Sequence, residues 1–200
     1  VEEYREVLML HQDTAGGQLN IAGLEVALQN VAAAEAAYHR ALFLDSRIVG
    51  ARLNLADFYR AQKQDYKGEP LLRKAIELAP ESAAPHHSLG LLLVRQKKYE
   101  EALTFLSKAN ALAPENSRYA YIYAIAINST GNSAEALVLL EGVVTREPTN
   151  VDALSALVDI YNRLGQRQQA LKYAELLLHV TPENAQLKQW VDYLRSSGLQ

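Results

Sequence analysis

Residues 87–114 read HSLGLLLVRQKKYEEALTFLSKANALAP, two apolar segments separated by the polar sequence RQKK. Leu89 and Leu93 are four positions apart in the first segment, and Ala102 and Leu106 are four positions apart in the second. Apolar residues that recur every three or four positions form one face of an α-helix. The stretch therefore predicts two helices joined by a short polar turn, which is a helix hairpin.

This hairpin is one copy of a repeat. Pro80, Pro114, Pro148 and Pro182 follow one another at intervals of 34 residues and make up four of the six prolines in the chain. A fixed period of this length is the sequence signature of a repeat architecture. With these prolines set at position 32, the full repeats are residues 15–48, 49–82, 83–116, 117–150 and 151–184.

Two positions of the repeat carry small residues in almost every copy. Position 8 is Ala22, Ala56, Gly90, Ala124 and Val158, and position 20 is Ala34, Gly68, Ala102, Ala136 and Ala170. Small side chains allow two helix axes to approach closely, so that larger residues of the neighbouring helix fill the space beside them. We therefore expect these positions to lie where helices meet.

Polar and glycine residues mark the helix boundaries. Position 34 is Thr14, Ser82, Asn116, Asn150 and Asn184, interrupted only by Ile48. A short polar side chain before a helix can accept a hydrogen bond from a free amide of the first turn. Gly131 and Gly165 both occupy position 15, where a left-handed residue can end the first helix of a hairpin.

These features resemble the tetratricopeptide repeat family. The residues that carry the resemblance in the third repeat are Leu89, Gly90, Tyr99, Ala102, Ala109 and Pro114. The resemblance implies an all-α fold, a right-handed superhelical solenoid of antiparallel helix hairpins with the first helices on the concave side. Position 4, where the family has a large residue, departs from the pattern: it is Gln18, Arg52, His86, Ala120 and Leu154.

The two ends of the sequence also fit the repeat. Residues 1–12 match the second helix of an earlier repeat, and residues 185–195 read as a capping helix. We interpret residues 1–200 as a single solenoid of twelve helices, and expect it to be a segment of a longer protein. Tyr4 and Val7 would then expose apolar surface at the amino-terminal end, through which the chain could self-associate.

The resemblance also indicates which side chains face the concave groove. The candidate peptide-binding residues are Asn20, Asn54, Asp57, Arg60, His87, Arg95, Arg118, Tyr121 and Asn128. Tyr121 is either the anchor of a bound segment or a packing partner of His87, since aromatic residues serve both purposes.

Two groove chemistries known in the family can be compared with these positions. A carboxylate clamp requires lysine at position 5, but the residues there are Leu19, Leu53, His87, Tyr121 and Ser155. We therefore reject a clamp, because a bound carboxylate needs charge pairing. An asparagine ladder, similar to that of O-linked N-acetylglucosamine transferases, requires asparagine at position 6. Asn20 and Asn54 fit, so a ladder of two amides stays open.

Composition argues against several other functions. The 20 basic and 23 acidic residues give a net charge of −3, which offers no basic field for nucleic acid. No apolar run approaches the roughly 18 residues of a membrane-spanning helix. There is no cysteine, no pair of histidines at metal-binding spacing, and no phosphate-binding or nucleophile motif. We expect neither a catalytic site nor a metal nor a cofactor.

The sequence thus favours a non-catalytic scaffold that binds a peptide or protein segment in the concave groove, without membrane insertion. The alternative is that the repeats are the recognition or assembly domain of a larger enzyme whose active site precedes residue 1. His86–Gln96 and Arg118–Tyr121 are similar to repeat tails that follow multihaem cytochromes in some bacteria, and a transferase is the other candidate. No haem residue can be carried over, because no CxxCH motif is present.

Overall fold

The computed structural model describes residues 13–196, and within that range every regular element is an α-helix. The helices are α1 (Ala15–Ala27), α2 (Val31–Leu44), α3 (Val49–Ala61), α4 (Asp65–Leu78), α5 (Ala83–Arg95), α6 (Tyr99–Leu112), α7 (Ser117–Ser129), α8 (Ser133–Arg146), α9 (Val151–Arg163), α10 (Arg167–Val180) and α11 (Ala185–Ser196). The all-α helical repeat fold is confirmed. The helix proposed for residues 1–12 lies outside the described residues.

The chain forms two compact units, one ending at Gln96 and the other beginning at Lys97. The first unit contains α1 to α5 and the second contains α6 to α11. In the first unit α1 pairs with α2 and α3 pairs with α4; in the second α7 pairs with α8 and α9 pairs with α10. Successive hairpins also contact each other, α2 with α3 and α8 with α9. The interpretation of residues 1–200 as a single solenoid stays a prediction.

The small residues of the repeat are buried, as their positions predict. Ala22, Ala34, Ala102, Ala124 and Ala136 have no exposed surface. Larger side chains pack in the same clusters: Leu140, Leu154 and Leu157 with Ala124 and Ala136 in the second unit, and Leu55 and Phe58 with Ala22 and Ala34 in the first. A larger group at a small-residue position would have to displace these neighbours.

The helix starts follow the polar residues at position 34 in most repeats. The side-chain oxygen of Thr14 accepts from the Gly17 amide at 3.0 Å, and that of Asn116 accepts from the Tyr119 amide at 3.1 Å. Asn150 and Asn184 accept in the same way, from the Ala153 and Leu187 amides. Ser82 precedes α5 without such a bond. The capping prediction is therefore right at four positions and wrong at Ser82.

Each hairpin turn contains one residue with left-handed backbone at position 15. Gly131 and Gly165 have φ of 97° and 71°, as the sequence predicts. The same conformation occurs at Gln29, Lys63 and Lys97, with φ between 58° and 62°. A non-glycine residue adopts it at an energetic cost. In these three turns the hairpin geometry therefore imposes a left-handed backbone conformation on a residue that disfavours it.

The unusual polar residues at position 4 have a defined role. Arg52 is 9% exposed, and its Nη2 donates to the Ser46 carbonyl oxygen at 2.7 Å. His86 is 6% exposed, and its Nε2 lies 2.9 Å from the Pro80 carbonyl oxygen. Both carbonyls belong to position 32 of the preceding repeat. A polar side chain here bonds a loop carbonyl that precedes its own helix.

Tyrosine–glutamate hydrogen bonds join adjacent hairpins. The Tyr59 hydroxyl on α3 donates to Glu35 on α2 at 2.7 Å, and this bond is the main cause that lowers the pKa of Glu35. In the second unit Tyr161 on α9 and Tyr173 on α10 both donate to Glu141 on α8, at 2.7 and 2.9 Å. Their rings stack with centroids 5.7 Å apart. One carboxylate thus satisfies two buried hydroxyls.

The terminal helix α11 packs against α10 as a cap. Val191 and Leu194 are buried, and Trp190 packs against the core of the second unit. The helix predicted for residues 185–195 thus covers the end of the second unit with its apolar side chains.

Replacing Ala102 by leucine tests the small-residue positions. Because Ala102 has no exposed surface, the larger side chain should overpack the core and lower the free energy of unfolding by about 1–3 kcal/mol. Urea unfolding measures this change. Thr104→Leu, at an exposed position of the same helix, is the matched control. Equal stability of the Ala102→Leu variant and the wild type would contradict the close helix approach.

Alkaline unfolding tests the hydrogen bonds to Glu141. Burial, followed by the bond to Glu141, raises the pKa of Tyr161 to about 12 from an ordinary value of about 10. A raised folded-state pKa gives stability that is present below pH ~10 and is lost as the pH rises toward ~12. Tyr161→Phe should be less stable at neutral pH and should lose stability less steeply across that window. Tyr193→Phe, at a 60% exposed position, should match the wild type in both respects.

Candidate functional site

The first unit contains a cleft of about 590 Å³, here named the amino-terminal cleft. Its lining residues come from the turn of the first hairpin and from the outer face of α3: Val26, Gln29, Val31, Tyr38, Asn54, Asp57, Phe58, Ala61 and Gln62. Asn54, Asp57, Phe58 and Ala61 follow one another at helical spacing, which places them on the same side of α3. Two of the predicted groove residues, Asn54 and Asp57, therefore line one cleft.

The walls of the amino-terminal cleft are mainly apolar. Tyr38 and Phe58 are more than nine-tenths buried, and their ring centroids are 5.7 Å apart. Val26 and Val31 are each 44% exposed, so the cleft offers accessible apolar surface. Asp57 adds a negative charge, which forms a solvent-exposed ion pair with Arg60 at 3.1 Å.

The second unit contains a cleft of about 640 Å³, here named the carboxy-terminal cleft. Its lining residues are Glu115, Asn116, Ser117, Arg118, Tyr121, Ile122, Glu147, Asn150 and Asp152. They come from the loop that links α6 to α7, from the first turns of α7, from the loop that links α8 to α9, and from the start of α9. The hydrogen bonds of Asn116 and Asn150 to the first-turn amides fix these helix starts. Arg118 and Tyr121, both predicted for the groove, line this cleft.

The carboxy-terminal cleft is acidic. The Asn150 amide donates to the Glu147 carboxylate at 2.7 Å, and this bond, with help from the Ser117 hydroxyl, holds the pKa of Glu147 below its ordinary value. Burial raises the pKa of Tyr121, and the nearby Asp152 carboxylate raises it further. The lowered pKa indicates that Glu147 is charged at neutral pH, and Asp152 lines the same cleft as Tyr121.

The remaining predicted groove residues do not line either cleft. Asn20 is exposed on α1. Arg95 forms two hydrogen bonds to Asp65, at 2.8 and 3.1 Å, and Asn128 accepts from the Ser133 hydroxyl at 2.8 Å. His87 is only 7% exposed, so its ring offers little surface to a ligand.

Several cleft residues lie outside the positions that the sequence assigns to the groove. Glu115 and Glu147 belong to the loops between repeats, and Gln29 and Val31 belong to the first hairpin turn. The family resemblance assigns groove residues to the first helices only. A sequence signal for the two loop glutamates was nevertheless present, because each adjoins a proline of the repeat: Glu115 follows Pro114, and Glu147 precedes Pro148.

The described residues, 13–196, include no cluster of three or more histidine, aspartate or glutamate residues suited to a metal ion. Over the same range no helix combines the length and apolar character that crossing a membrane requires.

Two tetratricopeptide repeat family models match the sequence, one over residues 67–125 and 129–189 and the other over residues 19–83. The chain belongs to the tetratricopeptide repeat family. Members of this family are generally non-catalytic scaffolds, and the chain is a protein–protein interaction scaffold in this general sense. No curated protein sequence matches it.

Solved structures with the same fold share little sequence with this chain. The tetratricopeptide protein YrrB, whose structure is described as having an unusual peptide-binding site, is 21% identical, with a TM-score of 0.72 over 95% of this chain and 97% of that one. PilF of Pseudomonas aeruginosa is 20% identical, with a TM-score of 0.73 over 83% and 76%. Yeast Tom70 is 16% identical, with a TM-score of 0.75 over 97% and 42%.

Arg95 is predicted to contribute to stability through Asp65. The side chains of the pair are 36% and 25% exposed, so Arg95→Ala should lower the free energy of unfolding by only about 0.5–1 kcal/mol. High salt should reduce this difference, since it screens exposed charges. Asp65→Ala should cost a similar amount, and the double variant should lose little more. Additive losses from the two single changes would show that the ion pair does not contribute.

Proposed function

We propose that the chain binds an extended peptide or protein segment along the first helices of its hairpins, the helices that the family resemblance assigns to the concave groove. The main support is that each unit has a cleft lined by predicted groove residues, Asn54 and Asp57 in one, Arg118 and Tyr121 in the other. The peptide-binding site named for YrrB, a protein with the same fold, is a second support.

The size of the clefts suits side chains of a bound segment. Volumes of about 590 and 640 Å³ fall within the roughly 300–1,000 Å³ of typical ligand sites. The exposed amide of Asn54 is suited to the backbone of an extended ligand, because it can donate and accept at once. Tyr121 is suited to be an anchor, because its partly buried ring is held against the core and gives contact area at little entropic cost.

The residues proposed to contact the ligand are Asn54 and Asp57 in the cleft of the first unit, and Arg118 and Tyr121 in the cleft of the second. The other residues of the predicted set are Asn20, Arg60, His87, Arg95 and Asn128. We rank them lower, since none of them lines a cleft, His87 is buried, and Arg60, Arg95 and Asn128 are held by partners within the chain.

The comparisons do not favour the alternative of a domain attached to a larger enzyme. Self-association through Tyr4 and Val7 concerns residues outside the described range and stays a prediction.

Selection of random linear peptides on the immobilised chain, followed by affinity measurement for the selected peptides, tests the proposal. Tyr121→Ala should weaken binding by about 30-fold, the equivalent of about 2 kcal/mol for an anchor residue. Asn54→Ala should weaken it without affecting the fold, because the exposed Asn54 side chain lies at the cleft surface.

The matched control is Tyr66→Ala, which removes a 71% exposed tyrosine from the second helix α4. It should leave the affinity unchanged. Circular dichroism of each variant checks the fold, since Tyr121 also packs against the core. The proposal fails if no peptide is selected, or if Tyr66→Ala weakens binding as much as Tyr121→Ala and Asn54→Ala do.

A further inference from the structure

We infer that the carboxy-terminal cleft receives a lysine or arginine side chain of the bound segment. This inference rests on the proposed peptide-binding function and specifies the chemistry of one part of the ligand.

Charge is the first argument. Glu115, Glu147 and Asp152 bring three carboxylates to the cleft, against the one guanidinium of Arg118. In the described part of the chain no ion pair involves Glu115, Asp152 or Arg118, whereas Asp159, farther along α9, is paired with Arg163 at 2.9 Å. Unpaired carboxylates that share a cleft repel one another, and a bound cation would relieve this repulsion.

The walls of the cleft suit the stem of a long basic side chain. The Tyr121 ring and the Ile122 side chain are partly buried apolar surfaces on α7. Lysine and arginine can lay their methylene groups along such a surface while the charged end reaches a carboxylate. A cation beside the tyrosine ring also gains a cation–π interaction. Asp152, which lines the same cleft as Tyr121, is placed to meet that charged end.

Two further groups of the cleft point to a peptide rather than a free cation. The Ser117 side chain is 7% exposed, and its hydroxyl, which lies near the Glu147 carboxylate and helps to lower the pKa of that group, makes no other hydrogen bond in the described structure. The guanidinium of Arg118 carries donors that no described carboxylate accepts. A peptide supplies carbonyl oxygens for the Arg118 donors and an amide N–H for the Ser117 oxygen, next to its basic side chain. The carboxylates are not grouped as metal ligands within residues 13–196.

Two synthetic fluorescent peptides test the inference on the full chain. One alternates lysine with serine and leucine, and the other has glutamate in place of each lysine. By fluorescence anisotropy the lysine peptide should bind about tenfold more tightly than the glutamate peptide, because only one of them complements the cleft charge.

The variant Glu115→Gln/Asp152→Asn should weaken the lysine peptide about tenfold while leaving the glutamate peptide no weaker than before. Asp159→Asn is the matched control: it removes the same charge from α9 but lies outside the cleft. It should change the affinity by less than about twofold, the effect of an exposed charge. Unchanged thermal unfolding shows that the variants fold.

The inference is overturned if the glutamate peptide binds as tightly as the lysine peptide, or if Asp159→Asn has the same effect as the double variant. Selected peptides that lose affinity with Asn54→Ala but are indifferent to Glu115 and Asp152 would overturn the inference and leave the proposed function intact. Absence of binding by any peptide, selected or synthetic, would overturn both.

Discussion

Close approach of helices at small residues is the constraint on which the rest of the structure depends. Ala22 and Ala124 on first helices, and Ala34 and Ala136 on second helices, are completely buried. An alanine contributes little apolar surface of its own, but it allows leucine residues of the neighbouring helix to pack against the backbone. Because the same positions recur every 34 residues, each hairpin buries its faces against the next in the same way.

Polar contacts between hairpins provide partners for several buried hydroxyl and carbonyl groups. Tyr59 and Tyr161 occupy the same position of their repeats, and each donates to a glutamate on the second helix of the preceding hairpin. Arg52 and His86 likewise share a position and bond loop carbonyls. Buried hydroxyl and carbonyl groups are costly without a partner, so these bonds favour the observed pairing of hairpins over shifted ones.

Other side chains of the first helices, such as Asn54 on α3 and Arg118 on α7, remain accessible. The two clefts differ in chemistry: aromatic and valine side chains line the amino-terminal cleft, whereas Glu115, Glu147 and Asp152 line the carboxy-terminal one. The first cleft therefore suits an apolar group and the second a basic one, and acidic groups are disfavoured at the second cleft. Specificity would then depend on side chains that the fold does not require.

The sequence by itself determined the all-α repeat fold, the positions of the small residues and most helix starts, because these depend on spacing along the chain and on contacts within a hairpin. The family resemblance that the sequence carries also assigned Asn54, Asp57, Arg118 and Tyr121 to the groove, and these four residues line the two clefts. Only the tertiary structure showed that Arg95 is paired with Asp65, that His87 is buried, and that Glu115 and Glu147 line a cleft. These properties depend on groups that lie far apart in the sequence, or in loops without periodicity, and three-dimensional packing alone brings them together.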